Sequence, residues 1–156
     1  MTKQVQVFAV FYKGRVKIKS WKTFKEWLID AVIRVATMSK YSHCELAVTR
    51  KDGQYTCYSS SPRDNGVRKK VMTLSADKWD FVPVPISHRR IKYFFMLTQG
   101  KKYDLLGAVG IPFKAQDDNK WFCSEWVAEA LNMNETQISP QKLYKQLTNK
   151  EDKASD

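Results

Sequence analysis

The chain has 156 residues, of which 43% are hydrophobic, 13% aromatic and 28% charged. This is the length of one ordinary domain and the composition of a chain that builds a core, which excludes a disordered or collagen-like polypeptide. Lys and Arg number 27 against 16 Asp and Glu, and the resulting formal charge of +11 fits an anionic partner such as nucleic acid, an acidic polymer or a membrane surface.

Residues Gln4–Tyr12 (QVQVFAVFY) are rich in β-branched and aromatic side chains and predict a strand. Lys13-Gly14 then reads as a turn into a second short strand over Arg15–Lys19. Thr23 followed by Glu26 has the capping-box spacing, and apolar residues recur at Phe24, Trp27, Leu28, Ala31, Val32 and Val35. That periodicity predicts an amphipathic helix that buries this stripe. Four strand-like runs follow, His43–Thr49, Tyr55–Ser60, Val67–Leu74 and Trp79–Val84, separated by turn residues such as Lys51-Asp52-Gly53. Their short spacing predicts an antiparallel meander. Helical patterns occupy Ser87–Gln99 and Trp121–Leu131, and a last one starts at Ser139, where Ser-Pro supplies an N-cap and a first helical residue. Strands and helices are segregated along the chain, so an α+β architecture is expected. No linker or repeat divides it, giving a single domain over residues 1–149 and a flexible tail over 150–156.

The cysteines, Cys44, Cys57 and Cys123, are odd in number and widely spaced, the pattern of a reducing compartment. No apolar run approaches the ~20 residues of a membrane span, and no leader-like N-terminus is visible, so a soluble, cytoplasmic protein is expected. The segment Tyr41–Val48 (YSHCELAV) carries the first chemistry. In a strand His43, Glu45, Ala47 and Thr49 share one face while Cys44, Leu46 and Val48 share the other. The second face belongs in a core. The first places an imidazole beside a carboxylate, which either lines a site or forms a solvated edge.

Cys123, in Lys120–Val127 (KWFCSEWV), falls near the start of a helix. There the helix dipole and a nearby imidazole favour the nucleophilic thiolate, although a free cysteine often serves as a small buried hydrophobe. A zinc site is rejected, because no Cys-x-x-Cys spacing occurs and Cys44 faces away from His43. His88, next to Arg89 and Arg90, reads as surface charge, which leaves His43 as the candidate base. Glu125 reads as a charge that stabilises the helix start.

Gln99–Gly107 (QGKKYDLLG) upstream of Trp121–Glu125 (WFCSE) resembles the approach to the nucleophile helix in the NlpC-type branch of papain-like cysteine hydrolases. In most of that superfamily the histidine strand follows the cysteine helix, whereas here Ser42-His43 comes first. That order resembles the circularly permuted group, which includes the YiiX-like proteins and the lecithin retinol acyltransferase relatives. Ser42–Leu46 (SHCEL), Ser59–Arg68 (SSSPRDNGVR), Tyr103-Asp104 and Cys123-Ser124-Glu125 together are similar to small bacteriophage-encoded members. The match covers about Tyr41 to Leu131.

The resemblance implies a papain-like antiparallel sheet packed on the nucleophile-bearing helix. It also implies thiol hydrolysis of a peptide, isopeptide or acyl substrate without cofactor or metal, with Cys123 as nucleophile and His43 as base. The family's orienting residue sits on the strand after the histidine, where this chain departs from the pattern; the candidates here are Glu45 first, on the same face as His43, Ser59 or Ser60 second and a backbone carbonyl third. Backbone N–H groups at the helix start, with Tyr103 and Ser124, are the candidate oxyanion or substrate contacts.

Two other readings accompany it. Nine basic and two acidic side chains lie in residues 1–40, so residues 3–40 can meet an anionic partner, with Lys17, Lys19 and Lys22 interleaved with Trp21 and Phe24 as a nucleic-acid contact. Alternatively the scaffold persists as a virion or assembly component with a degenerate site, its loop Pro62–Gly66 and Arg68 serving as contacts.

Overall fold

The computed structural model describes residues 5–15, 17–36, 38–104, 120–135 and 138–154. It has an α+β architecture. Five antiparallel strands, β1 (Val7–Tyr12), β2 (His43–Thr49), β3 (Tyr55–Ser61), β4 (Gly66–Met72) and β5 (Trp79–Pro83), form one sheet in the order β4-β3-β2-β1-β5. Helices α1 (Trp21–Ala36), α2 (His88–Thr98), α3 (Cys123–Ala130) and α4 (Pro140–Ala154) accompany it. Two short strands, β6 (Lys102–Tyr103) and β7 (Lys120–Trp121), pair in parallel. Among the described residues no helix is long and apolar enough to cross a membrane.

The meander expected from four consecutive strands holds for β2, β3 and β4. β5 instead returns to the far side of β1, pairing Phe8 with Pro83 and Tyr12 with Trp79. β1 is consequently central, as its composition allows: Ala9, Val10 and Phe11 are fully buried, on both faces of the sheet. The second short strand expected after Lys13-Gly14 does not form, since Arg15 and residues 17–19 lie outside every strand. That side of β1 is already taken by β2 and β5.

One sheet face holds the main core. Phe11, Cys44, Leu46 and Tyr58 pack there against Ile91 of α2, Trp126 and Val127 of α3, and Leu143 of α4. Burying such side chains contributes about 1.5–3 kcal/mol each. A smaller cluster of Val10, Ala47, Cys57 and Leu74 covers the opposite face. Helix ends are fixed by their own sequence: the Ser87 and Ser139 side chains accept the Arg90 and Lys142 backbone N–H groups at 3.2 Å each. α4 continues to Ala154, into the segment read as a tail.

Helix α1 departs from expectation in two ways. Its cap is not the Thr23/Glu26 pair: the Ser20 backbone N–H donates to Thr23 Oγ1 at 2.8 Å, and the helix starts at Trp21. More consequentially, the apolar stripe points outward. Trp21 is 70% exposed and Val35 78%, while Asp30 and Ile33 are the buried positions.

Candidate active site

The site begins with the alternation of β2. Cys44, Leu46 and Val48 enter the main core, and Ala47 enters the opposite cluster, so His43 and Glu45 lie on Ala47's side. Glu45 is only 1% exposed. A carboxylate at such a position requires partners, and it has three contacts. His43 Nε2 lies 3.1 Å from Oε1, and Arg68 donates from both terminal nitrogens, at 2.7 Å to Oε1 and 2.7 Å to Oε2. Burial alone would raise the Glu45 carboxyl, but the Arg68 and His43 hydrogen bonds and charges overcome it and hold the group at about 2. Glu45 is therefore an anion at neutral pH.

Arg68 is in turn fixed by its Nε, which donates to Asp64 Oδ2 at 2.9 Å. The loop that presents it depends on Asn65 in the left-handed region, φ 56°, and on Gly66, φ 139°. A Cβ on Gly66 would lie 2.0 Å from the Lys101 carbonyl oxygen, which already accepts the Val67 N–H at 2.9 Å. Only glycine allows that approach. Arg68, read from the sequence only as a contact beside the loop Pro62–Gly66, is the residue that holds Glu45. The available signal was Glu45 itself, a carboxylate on a strand that needs a partner once buried.

Glu45 accepts the Nε2–H of the neutral ring, which leaves the Nδ1 lone pair as the acceptor. Nδ1 is buried and has no hydrogen bond of normal geometry. Besides Glu45, the group that acts on His43 is Cys123. The first residue of α3 reaches the start of β2 and meets two consecutive residues there, interacting with His43 and with both the thiol and the backbone of Cys44. No hydrogen bond of normal geometry joins the thiol to Nδ1.

Burial would push the Cys123 thiol up. Hydrogen bonding to Cys44 and His43 and the charge of His43 outweigh burial and bring it well below the usual thiol range. His43 moves the opposite way: burial lowers it, but hydrogen bonds and charges from Cys123 and Glu45 raise it to about 9. Both directions favour a thiolate–imidazolium pair. Cys44 and Cys57 are also buried, and burial pushes both thiols up.

The remaining predicted residues divide. The Tyr103 hydroxyl is buried and unpartnered, and its proton is held chiefly by burial and then by the charge of Cys123. A free donor beside a thiolate is of the kind that can stabilise an oxyanion. The three serines have other work. Ser59 donates to the Cys44 carbonyl at 2.7 Å and Ser60 to the Trp121 carbonyl at 2.7 Å, which ties β3 to β2 and to the strand leading into α3. Ser124 donates to the Ile138 carbonyl. None of these hydroxyls touches His43, so Glu45 alone of the three candidates orients the ring.

Glu125 caps its helix, with Oε2 accepting the Phe122 N–H at 3.4 Å. His88 is not a free surface charge: it is half-buried at the start of α2 and pairs with the Tyr58 hydroxyl at 3.0 Å. Leu105, Leu106 and Gly107 of the QGKKYDLLG motif lie outside the described residues.

An open cavity lies on the His43 side, walled by His43, Glu45, Arg68, Arg63, Asp30 and Trp79 among others. Cys123 is not part of its lining and is 0% exposed. His43 is the wall shared between cavity and thiol. Among the described residues no cluster of His, Cys, Asp and Glu is arranged to hold a metal ion. No protein-family model and no curated protein matches the chain.

Proposed function

We propose that the protein is a thiol hydrolase, an amidase, peptidase or acyl-ester hydrolase on a circularly permuted papain-like scaffold of the kind carried by small bacteriophage-encoded proteins. One observation carries this reading. Two side chains eighty positions apart, Cys123 and His43, act on each other electrostatically inside the fold, Nδ1 is buried without a hydrogen bond of normal geometry, and Glu45 holds the ring's other nitrogen.

The thiolate sulfur bonds to the substrate carbonyl carbon, and the carbonyl π pair moves to oxygen. The Tyr103 hydroxyl and the N–H groups at the start of α3 stabilise that oxyanion. The tetrahedral species collapses with loss of the amine or alcohol, which takes its proton from Nδ1 of the imidazolium, leaving a thioester. Water then attacks the thioester as Nδ1 takes its proton; the carboxylic acid leaves and the thiolate–imidazolium pair returns. Glu45 stays ionised throughout, orienting the ring and stabilising its charge.

The complete burial of Cys123 favours a second reading, in which the scaffold binds a ligand in the neighbouring cavity as a virion or assembly component without turnover. Iodoacetamide labelling of the full chain at neutral pH, with mass mapping, separates the two. The hydrolase reading expects alkylation confined to Cys123, slowed at least about tenfold in His43→Ala, and loss of acyl-ester hydrolysis in Cys123→Ala. Alkylation spread equally over the three cysteines, or unchanged by His43→Ala, overturns it.

A further inference from the structure

Helix α1 is turned inside out. Its polar side faces the protein, where Asp30 accepts from Arg63 at 3.0 Å and Arg34 donates to Ser42 at 3.2 Å. Its apolar side faces water, with Trp21, Leu28, Val32 and Val35 recurring on one stripe and all exposed. Met38, just past the helix, is 90% exposed. Scattered exposed apolar residues are ordinary, but a continuous stripe along four helical turns marks a surface with an occupant.

The charges around the stripe identify the chemistry of that occupant. Lys17, Lys19, Lys22 and Lys25 are exposed at one end of it, and Lys25 Nζ lies 5.7 Å from the centre of the Trp21 ring. The acidic residues of this region, Glu26 and Asp30, are respectively half-buried and buried on the other side. A convex helix face with aliphatic side chains along its length, tryptophan at one end and lysines beside it is built for the boundary between lipid headgroups and acyl chains. A second copy of the face would bring lysine against lysine if packed in parallel, and if antiparallel would leave the lysines without an anionic counterpart. Nucleic acid would use Trp21 and the lysines but leave Leu28, Val32 and Val35 in water.

We propose that the outward face of α1 docks the protein on anionic lipid membranes, with the Trp21–Val35 stripe set among the acyl chains and the lysines of residues 17–25 against headgroup phosphates. This does not depend on the hydrolase reading. α1 also walls the cavity, through Asp30 on its inward side.

The test is co-sedimentation of the full chain with vesicles of phosphatidylcholine mixed with phosphatidylglycerol, against vesicles of phosphatidylcholine alone. The expected result is at least about tenfold stronger partitioning to the anionic vesicles, weakened by salt. Leu28→Glu combined with Val35→Glu should lower it more than about tenfold, and Lys19→Ala and Lys22→Ala about fivefold each. All four positions are exposed, and unchanged thermal melting shows that the variants remain folded. Absence of binding to the anionic vesicles overturns the proposal, as does binding indifferent to the Leu28→Glu, Val35→Glu variant. A dimer dispersed by that variant, or single-stranded DNA bound through Trp21 while vesicles are ignored, would assign the face to another occupant and equally overturn it.

Discussion

Strand β2 and helix α1 each carry one apolar and one polar side, and they dispose of them in opposite senses. β2 buries both. Its apolar side joins the main core, and its polar side is tolerated indoors because Glu45 is matched by Arg68 and His43. α1 buries its polar side, through Asp30 and Arg34, and leaves the apolar side outside. Burial follows available partners and not polarity alone. A carboxylate with a forked guanidinium can sit deeper than a valine with nothing to pack against.

The sharpest way to break this comparison is to remove the partner. Arg68→Met leaves Glu45 buried with His43 alone, and the cost expected for an orphaned buried charge is about 3–5 kcal/mol, read as a shift in the urea midpoint. The pH dependence has a definite sign. Glu45 sits at about 2 in the fold against an ordinary 4.5, so its contribution is present above about pH 4.5 and is lost as pH falls toward 2. His43 is raised from 6.5 to about 9, so its contribution is complete below about pH 6.5 and fades as pH rises through 9. Arg68→Met should flatten the acid limb, which a series of melts between pH 2 and pH 6 measures. An acid limb as steep as that of the parent would remove Arg68 from the network.

On α1 the comparison is sharpened by two neighbouring aliphatic residues. Ile33 is 1% exposed and belongs to the main core, so Ile33→Ala should cost about 2–5 kcal/mol. Val35, two positions on, is predicted to fall within about 0.5 kcal/mol of the parent when changed to Ala. Equal losses at both positions would mean that the outward stripe is packed against something in the folded chain.

Much of this was legible in the residues, and the limits have physical causes. Alternation placed Cys44, Leu46 and Val48 in the core and His43 with Glu45 on the other face, because a strand's period of two leaves no choice once one face is buried. The Ser-Pro start of α4 was readable because capping is local. The periodicity of α1 identified two sides but assigned the wrong one inward; that choice depends on Arg63, Ser42 and the Gly14 carbonyl, all outside the helix. The position of β5 beside β1 was hidden for the same reason, since pairing across seventy residues leaves no local trace. Arg68 was visible only as part of a polar loop, and its role needs the register that sets Ser59 opposite Arg68.

The smallest expected effect separates a supporting contact from a chemical one. Ser124 follows Cys123, the proposed nucleophile, directly and resembles a site residue in sequence, yet its hydroxyl is fully buried and spent on the Ile138 carbonyl. Ser124→Ala keeps the backbone N–H at the start of α3 and removes only that bond. The expected cost is about 1–3 kcal/mol of stability, with the rate of Cys123 alkylation at neutral pH unchanged. A slower alkylation in a variant that melts like the parent would reverse the assignment and return Ser124 to the reacting centre.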